Sequence, residues 1–411
     1  MSDWKECKLG DIALVIPGYA FKGKDFGSNG YPVVKIGDIN PPIVDLSNCM
    51  KIPDEKVNGL DKFKLQQGDF VLAMTGATLG KVGRYYSQEI GYLNQRVAKF
   101  ENKSGLSDKK FLYYLITNSQ VSNEIINRGL GSAQPNISGR DIESIIVDVP
   151  SLSTQTAIAE ILSSLDDKIE LNNKINQELE NLAQTLFKQW FIDFEFPNEN
   201  GEPYKSSGGE MVDSELGEIP KGWEIGRFSD LVKISTGKGI NKKDYLNDGS
   251  YPIIGANGIM GYCANYNIEG FKILTGRVGT LGTVRICNEK AWTSDNVLIC
   301  EPIYVEVNHY SYFVMKDFDY KSLNRGSTQP LITQTDLKIQ SIVSPPKNIL
   351  FPFQSQMDCF LSILESNILE NNFLTNLRDT LLPKLISGVL GVSMQTLRPI
   401  TDIPKKLSNE L

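Results

Sequence analysis

The sequence predicts an α+β chain assembled from one unit used twice, a mixed α/β domain followed by a long helix. Three observations lead there. One is a sustained heptad seam, the second is its reappearance two hundred residues later, and the third is a series of paired landmarks ahead of each seam.

The first seam lies in Gln155–Trp190, a run without Pro or Gly. Steps of four and three residues from Ile158 reach Leu162, Leu165, Ile169, Asn172, Asn176, Leu179, Ala183, Leu186 and Trp190. An apolar stripe of this period needs a facing helix to cover it. Met357, Leu361, Leu364, Ile368, Asn371, Leu374, Leu381 and Leu385 repeat the pattern. SSLDDKIELNN (163–173) also matches SILESNILENN (362–372), which sets Asn172 on Asn371 near the middle of each helix. Asparagines buried at one level cost stability but fix register, so Asn172 and Asn371 are the expected register pair. Pro383 is expected to kink or end the second helix.

The segments ahead of the seams repeat as well. Trp4 with LGDIALVIPG is echoed by Trp223 with FSDLVKISTG, and YPVVKIGDIN (31–40) by YPIIGANGIM (251–260). GDFVLAMTGATLGKVGRYY (68–86) pairs with GFKILTGRVGTLGTVRICN (270–288), each a β-rich run, a Gly-dense turn and a second strand. Gln134-Pro135, Asp141 and Pro150 find counterparts in Gln329-Pro330, Asp336 and Pro345. The expected layout is a first domain over 1–150, a helix over 151–192, a linker over 193–220, a second domain over 221–345, a helix over 346–390 and a tail over 391–411. The linker is rich in Glu, Gly, Pro and Ser and is expected to run along the surface.

Bulk properties narrow the function. No run of about eighteen apolar residues is present, so no membrane span is expected, and the N-terminus does not read as a signal peptide. The cytoplasm is the expected location. Six scattered cysteines contain no C-x-x-C pair, which argues for reduced, mostly buried thiols and against a zinc ribbon. His309 is the only histidine, and with no second ligand or nucleophile nearby it reads as structural. The net charge of −7 is unevenly spread. Residues 151–220 carry 4 basic and 14 acidic side chains, whereas 1–150 (18 against 17) and 221–344 (14 against 12) are near neutral. Charge therefore neither requires nor forbids nucleic-acid binding by the domains.

Several short matches fail on inspection. Asn40-Pro41-Pro42-Ile43 resembles the loop that holds the target base in amino-methyltransferases, but Ile43 stands where an aromatic ring is needed. Pro53-Asp54-Glu55-Lys56 lacks the spacing that places two carboxylates around a metal. GATLGKV (76–82) lacks the phosphate-loop spacing, with Val82 in place of the metal-binding hydroxyl.

What remains is the pair of Gly-rich loops, 75–84 and 275–285. Each sets cations beside small residues that allow close backbone approach: Lys81 and Arg84 in one, Arg277 and Arg285 in the other. A plain hairpin turn needs the same glycines. Asn94, Gln95 and Arg96, Asn296, the segment with Arg128, Gln134 and Asn136, and Arg325 with Gln329 offer amides and guanidinium groups suited to base edges. Lys22, Lys24, Lys238, Lys242 and Lys243 complete the candidate DNA contacts. The set contains no catalytic residue and no metal ligand.

Four stretches, WKECKLGDIALVIPGYAF, GSAQPNIS, LFKQWFIDFEFP running on to EIPKGW, and LRDTLLPKLISG, make the chain resemble the specificity subunit of Type I restriction-modification enzymes. The resemblance implies two target-recognition domains on two antiparallel helices. Each domain would read half of a split double-stranded DNA target, and the helices would set the gap and dock two methyltransferase subunits, with a restriction subunit as a further partner. The subunit itself would be non-catalytic. S-adenosylmethionine, ATP and magnesium would belong to the partner subunits of the adenine-N6 methylating and DNA-cleaving assembly. Leu331 in place of Asn136, and Asn296 without a following Gln-Arg, imply that the two halves read different sequences. A coiled-coil scaffold carrying two protein-binding domains, without nucleic acid, is the alternative.

Overall fold

The computed structural model describes residues 4–130, 135–326 and 328–392. The chain divides into two compact units, one formed by Met1–Leu171 with Leu369–Leu411 and the other by Asn172–Ile368. Each unit thus contains a portion of both long helices.

In the first unit a six-stranded sheet has the order Ala13–Pro17, Val97–Asn102, Phe70–Ala73, Val82–Arg84, Ile43–Val44, Ile39–Asn40. Phe70–Ala73 is apolar at every position and buried throughout, as an interior strand covered on both faces must be. A second sheet orders Met50–Ile52, Tyr31–Val34, Gly91–Leu93 and Lys64–Leu65, with Tyr31–Val34 and Gly91–Leu93 parallel. Lys5–Lys8 pairs antiparallel with Ile146–Val149, joining the two ends of the domain. Helix Lys109–Thr117 starts where the Asp108 carboxylate accepts from the Phe111 N–H, and buries Phe111 to Ile116 on all sides.

The second unit repeats this plan. Its main sheet runs Val232–Thr236, Val297–Pro302, Lys272–Gly276, Val284–Cys287, and its second sheet runs Gly258–Cys263, Tyr251–Gly255, Trp292–Thr293 with the last pair parallel. Glu224–Arg227 closes on Ser341–Ser344. The helix counterpart is Asn308–Lys316. A capping box opens a short helix ahead of each closing strand, Ser138 with Asp141 and Thr333 with Asp336. The duplication expected from the paired landmarks is therefore present in the shared strands of both sheets, while Ile39–Asn40, Ile43–Val44 and Lys64–Leu65 of the first domain have no counterpart among the described residues of the second domain's sheets.

The long helices span Leu152–Phe187 and Lys347–Ile386. Pro383 does not end the second helix, which continues through Ile386. Within the first unit the helical segments run antiparallel, with Asp166 meeting Arg378 at 2.8 Å and Lys168 meeting Glu370 at 3.0 Å. Within the second, the Asn367 amide donates to Asn176 Oδ1 at 2.8 Å. This corrects the second seam. Ile368 is 45% exposed, and Asn367 takes the covered position one residue earlier. The inward series includes Phe360, Leu364, Asn367, Asn371, Leu374, Arg378 and Leu381, a strict four-three alternation that the apolar residues alone disguise. Asn172 is fully buried and Asn371 half-buried.

The linker also departs from expectation. A π-helical turn, Lys188–Ile192, follows the first helix, and Phe191, Phe194 and Phe196 then enter the core of the second unit. Phe196 stacks on Trp223 at 5.0 Å, and Phe194, at φ 59°, sets its ring edge-on to the same indole at 5.6 Å. A hairpin, Met211–Ser214 with Gly217–Pro220, completes it. Aromatic rings spaced without period anchor this segment, which is why its polar composition suggested a solvated tether.

All six cysteines are free, with Cys263, Cys287 and Cys300 buried and Cys359 exposed. Among the described residues no helix is long and apolar enough to cross a membrane.

Candidate nucleic-acid interface

In each domain four loops meet through backbone hydrogen bonds, and the two sets correspond bond for bond. In the first domain Gly18 N–H donates to Val97 O, Met74 to Arg96, Asn94 to Val34, Gly76 to Pro135 and Ile137 to Met74. In the second, Gly237 donates to Val297, Arg277 to Asn296, Ser294 to Ile254, Gly279 to Pro330 and Ile332 to Arg277. These distances lie between 2.8 and 3.0 Å. The frame depends on glycine at one crossing: a Cβ at Gly18 would lie 2.2 Å from Asn94 O, and one at Gly237 2.2 Å from Ser294 O.

This frame gathers many of the candidates. Gln95, Arg96 and Asn136 are exposed at its first copy, with Asn94 half-buried, and Lys22, Lys24 and Lys81 stand exposed on the flanking loops. At the second copy Asn296 and Gln329 are exposed and Arg277 is half-buried at the centre. Lys238, Lys242 and Lys243 are exposed on the loop after the first strand. Gln134 lies outside the described residues. Tyr19, on the loop after Ala13–Pro17, and Trp292, on its short strand with the indole N–H donating to Lys238 O at 3.0 Å, stand beside the exposed residues of the frame but are absent from the sequence candidates. An aromatic directly after Pro17-Gly18 was the available signal for Tyr19.

Four cations expected at DNA are committed within the protein. Arg84 donates to Asp166 at 2.7 Å, to the Tyr114 hydroxyl at 2.5 Å and to the Tyr86 hydroxyl at 3.1 Å, and lies 3.9 Å from the centre of the Tyr113 ring. Arg128 bridges its own helix to the next through Glu124, Asp141 O and Ser144 Oγ. Arg285 donates to Ala256 O at 3.2 Å. Arg325 pairs with Asp336. Burial would raise the Asp336 carboxyl, but hydrogen bonds from Thr333 and the Arg325 guanidinium hold it below the usual carboxylate range. Several of these partners, Asp166 for Arg84, Asp141 and Ser144 for Arg128 and Ala256 for Arg285, are distant in sequence, so residue type alone did not separate structural arginines from available ones.

The two domains therefore share a rigid loop scaffold that carries different side chains at equivalent positions. Together with the paired long helices, this defines a duplicated recognition protein of the α+β class. The family described as Type I restriction modification DNA specificity domain matches residues 1–181 and 220–378. The chain belongs to that family and is a Type I specificity subunit with two target-recognition domains.

Similar proteins agree. The specificity subunit of the HindI Type I restriction enzyme of Haemophilus influenzae is 26% identical over 473 residues, covering 94% of this chain and all of that one. The MjaIX specificity subunit of Methanocaldococcus jannaschii is 26% identical over 416 residues, covering 95% and 94%. The crystal structure of the Type I restriction-modification S subunit from M. genitalium has the same fold, with a TM-score of 0.62 at 17% identity over 93% of this chain and 96% of that one.

Proposed function

We propose that each target-recognition domain reads one half of a bipartite duplex DNA sequence, while the two long helices set the gap and dock two methyltransferase subunits. The observation that carries this reading is the repeated loop frame. The same hydrogen bonds hold Tyr19, Arg96 and Asn136 on one frame and Lys238, Asn296 and Leu331 on the other, with buried Met74 and half-buried Arg277 at the equivalent hubs. A constant backbone with varied side chains is what two readers of unlike half-sites require, since base edges are discriminated by side-chain donors and acceptors.

The helices support the docking role. Leu171, Leu369 and Phe373 are exposed in the first unit, and Ile175, Leu182, Ile363 and Ile368 in the second. Apolar side chains gathered on long helices are the usual mark of a surface that another subunit covers. The first helix has 36 residues, about 54 Å at 1.5 Å per residue, which suits half-sites about one duplex turn or more apart.

In this reading the chain contributes recognition and no chemistry, acts in the cytoplasm, and leaves S-adenosylmethionine, ATP and magnesium to partner subunits. A restriction subunit is a further partner. The test is retention of duplex DNA by the chain assembled with methyltransferase subunits. Sequence-dependent retention is expected. Assembly without it would favour a protein-binding scaffold, and S-adenosylmethionine binding by the isolated chain in calorimetry would favour an enzyme.

A further inference from the structure

We propose that Arg277 is the guanine-reading residue of the second domain, donating from its guanidinium to O6 and N7 of one guanine in the half-site which that domain recognises. This rests on the half-site reading above and adds the base class and the residue.

Arg277 occupies the hub of the second loop frame. Its N–H donates to Asn296 O and its carbonyl accepts from Ile332 N–H, both at 2.9 Å, so its backbone is fixed on both sides. Its side chain is not committed. Among the described residues no carboxylate pairs with it, and its Nε is shut away from solvent without a hydrogen-bond partner. A buried donor without a partner costs about 1–3 kcal/mol, so the folded domain holds this guanidinium in place at a cost rather than by pairing it within the protein. The other frame has Met74 at this hub, buried and neutral, so the frame itself does not require a cation there.

Chemistry separates a base edge from a phosphate. The exposed Lys238, Lys242 and Lys243 suit the backbone of DNA as mobile point charges. A half-buried guanidinium held on a fixed backbone is a planar fork with little rotamer freedom left to lose. That geometry matches the two acceptors of guanine in the major groove. Asn296 and Gln329 flank it, and Gln329 Nε2 lies 3.9 Å from a Cβ built on Gly279, which places a side-chain amide at the same loop.

The test is methylation mapping of the full complex carrying Arg277→Met, the residue of the first domain. One guanine in one half-site should lose its discrimination by about 5- to 150-fold, while the other half-site and the gap stay unchanged. If that variant does not assemble, Arg277→Lys, which keeps the charge but not the fork, should show the same single-position loss. An unaltered motif, or a uniform weakening that tracks salt without a change of sequence, overturns the proposal and leaves the half-site reading standing. A wild-type complex without a bipartite motif removes both.

Discussion

Arg84 donates to Asp166 at 2.7 Å across 82 residues of sequence, joining the main sheet of the first domain to the first long helix. Arg378, from the second helix, donates to the other oxygen of the same carboxylate at 2.8 Å. Among the described residues the second domain shows no such arginine–carboxylate brace. Strand pairing sets Ile286 at the position of Arg84, and a cleft of about 410 Å³ there is lined by Ile286, Phe313, Leu361 and Leu364. The first domain is thus tied to both helices by a shared carboxylate, whereas the second meets its helix through the His309–Asp358 pair at 3.2 Å and apolar packing of Tyr310 and Phe313 with Phe353 and Met357.

Asp166→Ala leaves Arg84 without its carboxylate and Arg378 with only the exposed Asp379, in a place where the two arginine side chains are 13% and 20% exposed. Breaking such a pair costs about 3–5 kcal/mol, so urea unfolding should show the unit built on residues 1–171 losing stability by about that amount. Arg378→Met should cost less, because Arg84 still neutralises Asp166. Equal effects from the two variants would mean that the carboxylate does not serve both arginines.

Asn176 and Asn367 form the asparagine pair seen within the second unit. Asn367→Ala strands the Asn176 amide and should cost about 1–3 kcal/mol in thermal unfolding. Replacing Asn172 and Asn371 together with Leu should instead raise stability while relaxing register. The relaxation would be read as more than one gap length in the methylated motif. A single unchanged gap would show that these two residues do not set register.

His309 is buried against Phe271, with Nε2 3.2 Å from Asp358 Oδ1. Burial lowers its pKa from the ordinary 6.5, against the opposing pull of Asp358. With the folded pKa below the unfolded one, the unfolded chain takes up the proton first on acidification. Its contribution to stability is complete above about pH 6.5 and declines as pH falls toward the folded pKa. The difference in urea midpoint between the chain and His309→Gln should therefore shrink from pH 8 to pH 5. As the single histidine, its NMR titration reads the shift directly, and a folded pKa above 6.5 would reverse the sign.

Gly18→Ala and Gly237→Ala each force a Cβ onto a carbonyl oxygen 2.2 Å away within one loop frame. Gly18→Ala should impair methylation directed by one half-site and Gly237→Ala that directed by the other, with the complex still assembled by size-exclusion chromatography. Impairment of neither half-site would detach the loop frame from recognition.

The parts legible in sequence were those written in local period or in repetition. The helices at 152–187 and 347–386 follow from heptad spacing, and the doubled domain follows from landmarks such as Gln134-Pro135 and Gln329-Pro330. Sheet order was not legible, because pairing of Val97–Asn102 with both Ala13–Pro17 and Phe70–Ala73 is decided by tertiary packing. The linker was misread because Phe191, Phe194, Phe196 and Trp223 have no common period, though all bury their rings in one core. At the candidate interface, the loops were found through Gly and Pro. Which arginines are free was not, since Arg84 and Arg325 are claimed by Asp166 and Asp336 only after folding.

Inserting four residues, about one helical turn, into each long helix should lengthen the gap between half-sites without altering either one. Sequencing of N6-methyladenine measures this outcome; a changed half-site would assign the helices a part in base reading.

The most direct test of two domains reading two half-sites is the same sequencing applied to a host expressing the unsubstituted chain with its methyltransferase subunits. One motif is expected, made of two unlike specified halves separated by an unspecified gap of fixed length. A continuous motif, or methylation with no sequence preference, would contradict the account.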